Sequence, residues 1–190
     1  MARKGKLLIL SGPSAVGKGT VIDALMGKYQ DIAYSISVTT RQPRPGERDG
    51  IDYFFVSKEK FSEMIENNEL IEWAKVHGNY YGTPKSYVEE TLNTEQDVIL
   101  EIDIQGAAQV KEKYEYGVFV FLAPPSLKEL ESRIYKRGTD SQESIEVRME
   151  NASKEMKKVE DYDYIIVNDE IEKAVKKLKA IIIAERCKVD

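Results

Sequence analysis

Short apolar runs rich in leucine, valine and isoleucine alternate along this chain with segments whose apolar residues recur at helical spacing. The runs are Lys6–Ser11 (KLLILS), Asp97–Asp103 (DVILEID), Val118–Ala123 (VFVFLA) and Tyr164–Val167 (YIIV). In each, the apolar residues are consecutive rather than alternating, the pattern of a strand covered on both faces. Helical segments follow them at Lys18–Lys28, Gln105–Tyr114, Ser126–Arg137 and Asp169–Arg186. In the last, Ile171, Val175, Leu178 and Ile182 mark one face, with lysines and glutamates between them. Ser126 with Glu129, and Asp140 with Glu143, are spaced as capping boxes that start two helices. The alternation predicts an α/β fold with a parallel sheet core flanked by helices.

Two stretches break the rhythm. Residues 34–96 read as short strands, small helices and a loop rich in Pro, Arg and Gly between Arg41 and Gly50. Residues 126–160 read as two charged helices meeting at Arg137-Gly138-Thr139. Both are expected as inserts on the ligand side of a single domain spanning 1–190, the remainder forming the parallel core. Inserts of this kind act as lids.

Composition narrows the function. With 42% hydrophobic and 32% charged residues, the 190-residue chain is globular and long enough for a sizeable core. Its 28 basic and 33 acidic residues leave a net charge of −5, which argues against a general binder of nucleic acid or anionic membrane. Cys187 is the sole cysteine, so no intrachain disulfide can form, and no apolar run reaches membrane-spanning length. Cytoplasm is the expected compartment. Six of the eight arginines fall in two short segments: Arg41, Arg44 and Arg48, then Arg133, Arg137 and Arg148. Between Leu127 and Glu160 eight basic residues face eight acidic ones, so net charge hides whatever those arginines do.

Chemistry enters with Gly12-Pro13-Ser14-Ala15-Val16-Gly17-Lys18-Gly19-Thr20, directly after one strand and before one helix. The spacing is the GxxxxGK of a phosphate-binding loop. Its backbone N–H groups and the helix N-terminus face a phosphate chain, and Lys18 adds a full positive charge. The residue after Lys18 is Gly19, and the hydroxyl that often ligates Mg²⁺ arrives one position later at Thr20. The protein ligands of the metal are therefore not legible; phosphates and water hold most of such an ion. A second anion site is expected at Ser37-Val-Thr-Thr-Arg41-Gln-Pro-Arg44-Pro-Gly46-Glu-Arg48. There, prolines stiffen a loop whose arginine forks suit bidentate contact with phosphate. Tyr53 and Tyr80-Tyr81 add hydroxyl donors.

Together with Asp52-Tyr53, Ile71-Glu72-Trp73, Gly78-Asn79-Tyr80-Tyr81-Gly82 and Glu101-Ile-Asp103-Ile-Gln105-Gly106, these segments resemble the guanylate kinase family. The likeness continues through Ala123-Pro124-Pro125-Ser126, Arg137-Gly138-Thr139 and Val167-Asn168-Asp169, in order and over nearly the whole chain. Ala15 is a departure, because the family usually has glycine there. The resemblance implies a P-loop kinase with a GMP-binding insert at 34–96 and a helical lid at 126–160. It implies transfer of a phosphate from ATP to GMP, giving ADP and GDP, with Mg²⁺ and without an obligate protein partner. Gly12, Pro13, Ser14, Ala15, Val16, Gly17, Lys18, Gly19 and Thr20, with Arg137 and Asn168, are then the ATP side. Arg41, Arg44, Tyr53 and Tyr81 clamp the GMP phosphate, and Ser37, Glu72 and Thr83, with Asp103 close by, read guanine. Lys18, Arg41, Arg44, Arg133, Arg137 and Arg148 carry the counter-charge for transfer.

The chemistry of the base agrees with that assignment. Guanine offers N1–H and N2–H₂ as donors to one carboxylate and O6 as an acceptor to a hydroxyl, whereas adenine reverses the edge. The acceptor phosphate is already an anion, so no general base is needed. The obstacle is repulsion, about 4 kcal/mol for each pair of unit charges ~4 Å apart at an effective dielectric near 20. Two other readings stay open at this stage. One is a catalytically silent guanylate-kinase-like interaction module, against which the intact Gly17-Lys18 and lid arginines weigh. The other is a P-loop kinase for AMP or a small metabolite, against which Glu72 and Ser37 weigh. His77, Trp73 and Cys187 are given no catalytic role.

Overall fold

Leucines and an isoleucine in unbroken sequence make β1 (Leu7–Ser11) a strand without a wet face, and all five of its residues are buried. The computed structural model describes residues 5–76, 78–136 and 142–189. The chain forms two compact units, one of Met1–Leu7 with Asp31–Gly117 and one of Leu8–Gln30 with Val118–Asp190.

In the second unit β1 pairs in parallel with β8 (Val118–Ala123), from Leu8 opposite Val118 to Ser11 opposite Phe121. β8 pairs in parallel with β9 (Tyr164–Val167). All six residues of β8 are buried, as its apolar run predicts. β9 departs from the expectation of double coverage: Ile165 is 54% and Val167 38% exposed, because β9 is the outermost strand and is covered on one side only. Helix α1 (Lys18–Met26) packs against α7 (Ile171–Arg186). Val175, Leu178 and Ile182 are buried as their spacing predicts, while Ile171, in the first turn, is exposed. Helices α5 (Leu127–Lys136) and α6 (Gln142–Met156) bury Leu130, Ile134, Ile145 and Ala152. The Ser126 hydroxyl accepts from the Glu129 N–H at 3.1 Å, one half of the predicted capping box. The Asp140–Glu143 box and the Arg137-Gly138-Thr139 turn fall outside the described residues.

The first unit contains the parallel pair β2 (Ile32–Tyr34) and β7 (Asp97–Glu101). It also holds a four-stranded sheet in the order β4 (Phe54–Phe55), β3 (Val38–Thr39), β6 (Asn79–Pro84), β5 (Leu70–Val76). Val38, Phe61 and Leu70 form its core, with Phe61 supplied by α2 (Lys58–Glu66). Helices α3 (Lys85–Asn93) and α4 (Ile104–Lys113) flank β7, respectively preceding and following it in the chain. Strand β5 pairs with β6 on one side, with a register shift between Leu70 and Trp73. Among the described residues, no helix is long and apolar enough to cross a membrane.

Candidate active site

The phosphate-binding loop bends as its glycines require. Gly17 has φ +98°, and a Cβ there would stand 2.8 Å from Nδ2 of Asn168, so the position excludes other residues twice over. Ala15 also has φ +65°, an alanine in left-handed backbone. Ala15→Gly is expected to raise the stability of the protein by about 1 kcal/mol in urea denaturation, the strain relieved being partly offset by extra freedom in the unfolded chain. An unchanged midpoint would show that the loop relaxes that strain elsewhere.

Beyond the loop, α1 begins without a side-chain cap and without an acidic residue in its first turn. By contrast α2 is capped by Ser57 and α4 by Asp103. An uncapped helix start leaves N–H groups and partial positive charge available to an anion. Lys18 curls into the same loop, donating to the carbonyls of Gly12 at 2.7 Å and Pro13 at 3.3 Å.

Two side chains fasten this loop by hydrogen bonds. Asn168, 4% exposed, donates from Nδ2 to the Val16 carbonyl at 2.9 Å. Arg133 donates to that same carbonyl at 3.2 Å and to the Asn168 carbonyl at 3.0 Å, with its Nε on Glu129 at 3.2 Å. Asn168 does not cap α7, whose N-cap is Glu170.

The first unit carries an anion clamp. Arg41 makes a bidentate pair with Glu47, Nη1 to Oε2 and Nη2 to Oε1, both at 2.9 Å. Glu47 accepts the Arg44 backbone N–H as well, at 2.7 Å. The hydrogen bond to Arg41 holds the Glu47 carboxyl below its usual range, and the same bond raises the guanidinium. The Arg41 guanidinium lies 5.3 Å from the Tyr53 ring centre, and the Tyr53 ring meets that of Tyr81 edge-on at 6.0 Å. Arg44 is exposed. Thr39 and Thr40 tie the base of this loop to β6: the Thr39 hydroxyl donates to the Tyr80 carbonyl at 2.9 Å and the Thr40 hydroxyl accepts the Tyr80 N–H at 3.0 Å.

The same unit holds a buried acid. Glu72, on β5, is 3% exposed, and its Oε1 accepts the Thr83 hydroxyl at 2.6 Å. Burial raises its pKa to about 7, with the Asp103 charge adding to the rise while Thr83 and Lys113 oppose it. Asp103 caps α4, its Oδ1 accepting the Gly106 N–H at 2.8 Å. Ser37 is buried just before β3. The unit thus combines a buried carboxylate, a hydrogen-bond acceptor, with an arginine fork that grips a second carboxylate.

Comparison with known proteins resolves the family. A family model described as guanylate kinase matches residues 4–185. The chain belongs to the guanylate kinase family. A guanylate kinase of Desulfitobacterium hafniense (strain Y51) is 54% identical over 185 residues, 97% of this chain and 92% of its own. One of Latilactobacillus sakei subsp. sakei (strain 23K) is 53% identical over 190 residues, 100% of this chain and 94% of its own. The crystal structure of guanylate kinase from Anaplasma phagocytophilum superposes with TM-score 0.83 at 37% identity, covering 100% of this chain and 90% of that one. A shikimate kinase from Bacteroides thetaiotaomicron, 16% identical with TM-score 0.55, shares the fold alone.

Within this guanylate kinase family member, the predicted residues divide between the units. The first brings together Arg41, Tyr53 and Tyr81 as one cluster, and Glu72, Thr83 and Asp103 as another. Thr83 donates its hydroxyl proton to Glu72 and so orients the acid. The second brings together Gly12–Lys18, Arg133 and Asn168. Thr20 is exposed in the first turn of α1, and Arg148 is half-buried on α6. Arg137 and His77 lie outside the described residues. Sequence reasoning missed Glu47, although it stands only six residues after Arg41. It also missed Gln109, whose Oε1 accepts the Trp73 N–H at 3.2 Å and whose Nε2 donates to the Trp73 carbonyl at 2.7 Å.

Proposed function

We propose that this chain transfers the γ-phosphate of ATP to GMP, giving ADP and GDP. One observation carries the acceptor: the buried Glu72 carboxylate, oriented by Thr83, shares its unit with an arginine–tyrosine oxyanion clamp. GMP couples a two-donor base edge to a phosphate, and AMP lacks that edge. In this reading Glu72 accepts guanine N1–H and N2–H₂, with Ser37 and Asp103 lining the base. Arg41, Arg44, Tyr53 and Tyr81 take the phosphate that the Glu47 carboxylate now imitates.

ATP is the co-substrate on the second unit. The uncapped start of α1 and the loop Gly12–Thr20 receive its phosphates, and Lys18 turns from loop carbonyls to the phosphate oxygens. Arg133 and Asn168 hold the Val16 carbonyl of that loop by hydrogen bonds. Arg137 and Arg148 belong to the helical lid, 126–160, in the same reading, as 34–96 is the GMP-binding insert, with a cytoplasmic setting. The donor set fits a magnesium ion held chiefly by phosphate oxygens and water. Among the described residues no group of three or more His, Cys, Asp or Glu could hold a metal, and the nearby loop hydroxyls are those of Ser14 and Thr20. Bound there, the ion would neutralise charge on the transferring phosphate.

ADP release should be measured with ATP and Mg²⁺ and each of GMP, AMP, CMP and UMP as acceptor. GMP is expected to turn over far faster than the other three. No turnover on GMP would sink the enzymatic reading, and equal turnover on AMP would sink the role of Glu72.

A further inference from the structure

Among the described residues strand β5 ends its sheet, so one edge of its backbone has no neighbouring strand there. Around Glu72 that edge is covered by α4. Gln109 makes two hydrogen bonds with Trp73, and the Lys113 amine donates to the Ile71 carbonyl at 2.8 Å. The residues on both sides of Glu72 are therefore fastened, and the Gln109 amide serves as one peptide unit of an added strand. The fastening lies where the β5–β6 register shifts, between Leu70 and Trp73, a place where the direction of a side chain is least determined by its own sheet.

The third contact is with the carboxylate itself. Gly106 is buried in the first turn of α4, and a Cβ there would clash with Oε2 of Glu72 and stand 2.9 Å from its Cδ. Oε1 is held by Thr83, so the carboxylate cannot accommodate a methyl group without rotating off that hydroxyl. Positions 106, 109 and 113 are spaced i, i+3, i+7 and share one face of α4. One helix face thus supplies the opening for the carboxylate and the anchors for its strand.

We propose that Gly106, Gln109 and Lys113 are positioning residues that set acceptor specificity by holding Glu72 in register with the guanine edge. This rests on the reading of GMP as acceptor. A displacement near 1 Å at a reacting or recognising group can cost about a hundredfold. Gly106→Ala is accordingly expected to raise KM for GMP by at least about tenfold, with KM for ATP within about twofold of its starting value. Preference for GMP over IMP, which lacks the 2-amino group, should fall with it. Gln109→Met, which keeps the length but removes both hydrogen bonds, should shift the same quantities in the same direction by less. Glu112→Ala, on the exposed side of α4, should shift none of them.

The decisive readout is a double-mutant cycle. If Gly106 acts through Glu72, Gly106→Ala should cost almost nothing further in a Glu72→Gln background. Additive losses, or a loss that falls equally on ATP and GMP, would overturn the proposal. So would unchanged GMP kinetics in Gly106→Ala, or in folded Gln109→Met should the alanine variant fail to fold. The unmutated protein separates the two claims. Absence of GMP turnover there refutes the acceptor assignment and this proposal with it, whereas normal GMP turnover with additive variants refutes the positioning role alone.

Discussion

Replacing Lys18 by alanine will abolish phosphoryl transfer and leave GMP binding intact. The Lys18 amine lies within the phosphate loop, on the carbonyls of Gly12 and Pro13, in the unit that lacks the Arg41 clamp and Glu72. It supplies the one full positive charge of the loop 12–20. Loss of a single preorganised donor at developing charge costs on the order of 10²–10³ in rate, and a charged donor belongs at or above the top of that range. ADP formation with GMP as acceptor should therefore fall by about 10³ or more. GMP affinity, read by calorimetry without ATP, should stay within about twofold of the unmutated value, since nothing in the first unit changes. If GMP binding were lost instead, Lys18 would belong to the acceptor side and the division between the units would be wrong.

Glu72→Gln should collapse the preference for GMP and stabilise the protein above neutral pH. Glutamine of the same shape keeps one oxygen but turns an NH₂ group toward a base edge that is itself a donor. Mispaired buried polar groups give discrimination on the order of 10⁴, so a loss of about 10³ in kcat/KM for GMP is expected. The stability effect follows from the raised pKa of about 7 against an ordinary 4.5. Between those values the folded chain holds a proton that the unfolded chain has released, so stability falls as pH rises through this window. The full penalty, on the order of 3 kcal/mol before the altered hydrogen bond to Thr83 is counted, is present above pH 7 and absent below 4.5. The glutamine variant escapes it. Its unfolding temperature should exceed that of the unmutated protein at pH 8, and the difference should vanish at pH 4.

The same proton predicts the pH dependence of recognition. A protonated Glu72 cannot accept two guanine donors, so kcat/KM for GMP should fall below pH 7, approaching tenfold per unit. The GMP phosphate titrates nearby, but AMP carries the same phosphate, so the ratio of the two isolates Glu72. A ratio that does not change with pH between 5 and 8 would remove Glu72 from the base site.

These expectations rest on features that were unequally visible in the sequence. The phosphate loop was legible because every part of it is local: a strand, glycines, a lysine and a helix start within about a dozen residues. The arginine loop was legible as an anion site, since two forks and two prolines lie in one stretch. Its partner Glu47 was in view but not paired, because spacing within a loop does not reveal which side chains turn inward. Arg133 is expected at phosphates, and in the structure it also donates to the Val16 carbonyl, 117 positions away. Asn168 does the same from 152 positions away. Contacts of that range are products of folding, and no local pattern encodes them.

By itself the sequence determined the alternation of strands and helices and the glycine–lysine loop between β1 and α1 and, through family resemblance, pointed to the acid proposed to read the base. Each is a property of neighbours along the chain or of residue types in order. Tertiary structure alone decided what those residues do to one another. It exposed one face of β9, buried Glu72 until its pKa approached neutrality, and used Gly106, Gln109 and Lys113 to seat it. Burial and long-range hydrogen bonds depend on which surfaces meet, and they turn an ordinary glutamate into an acceptor whose charge state is poised near pH 7.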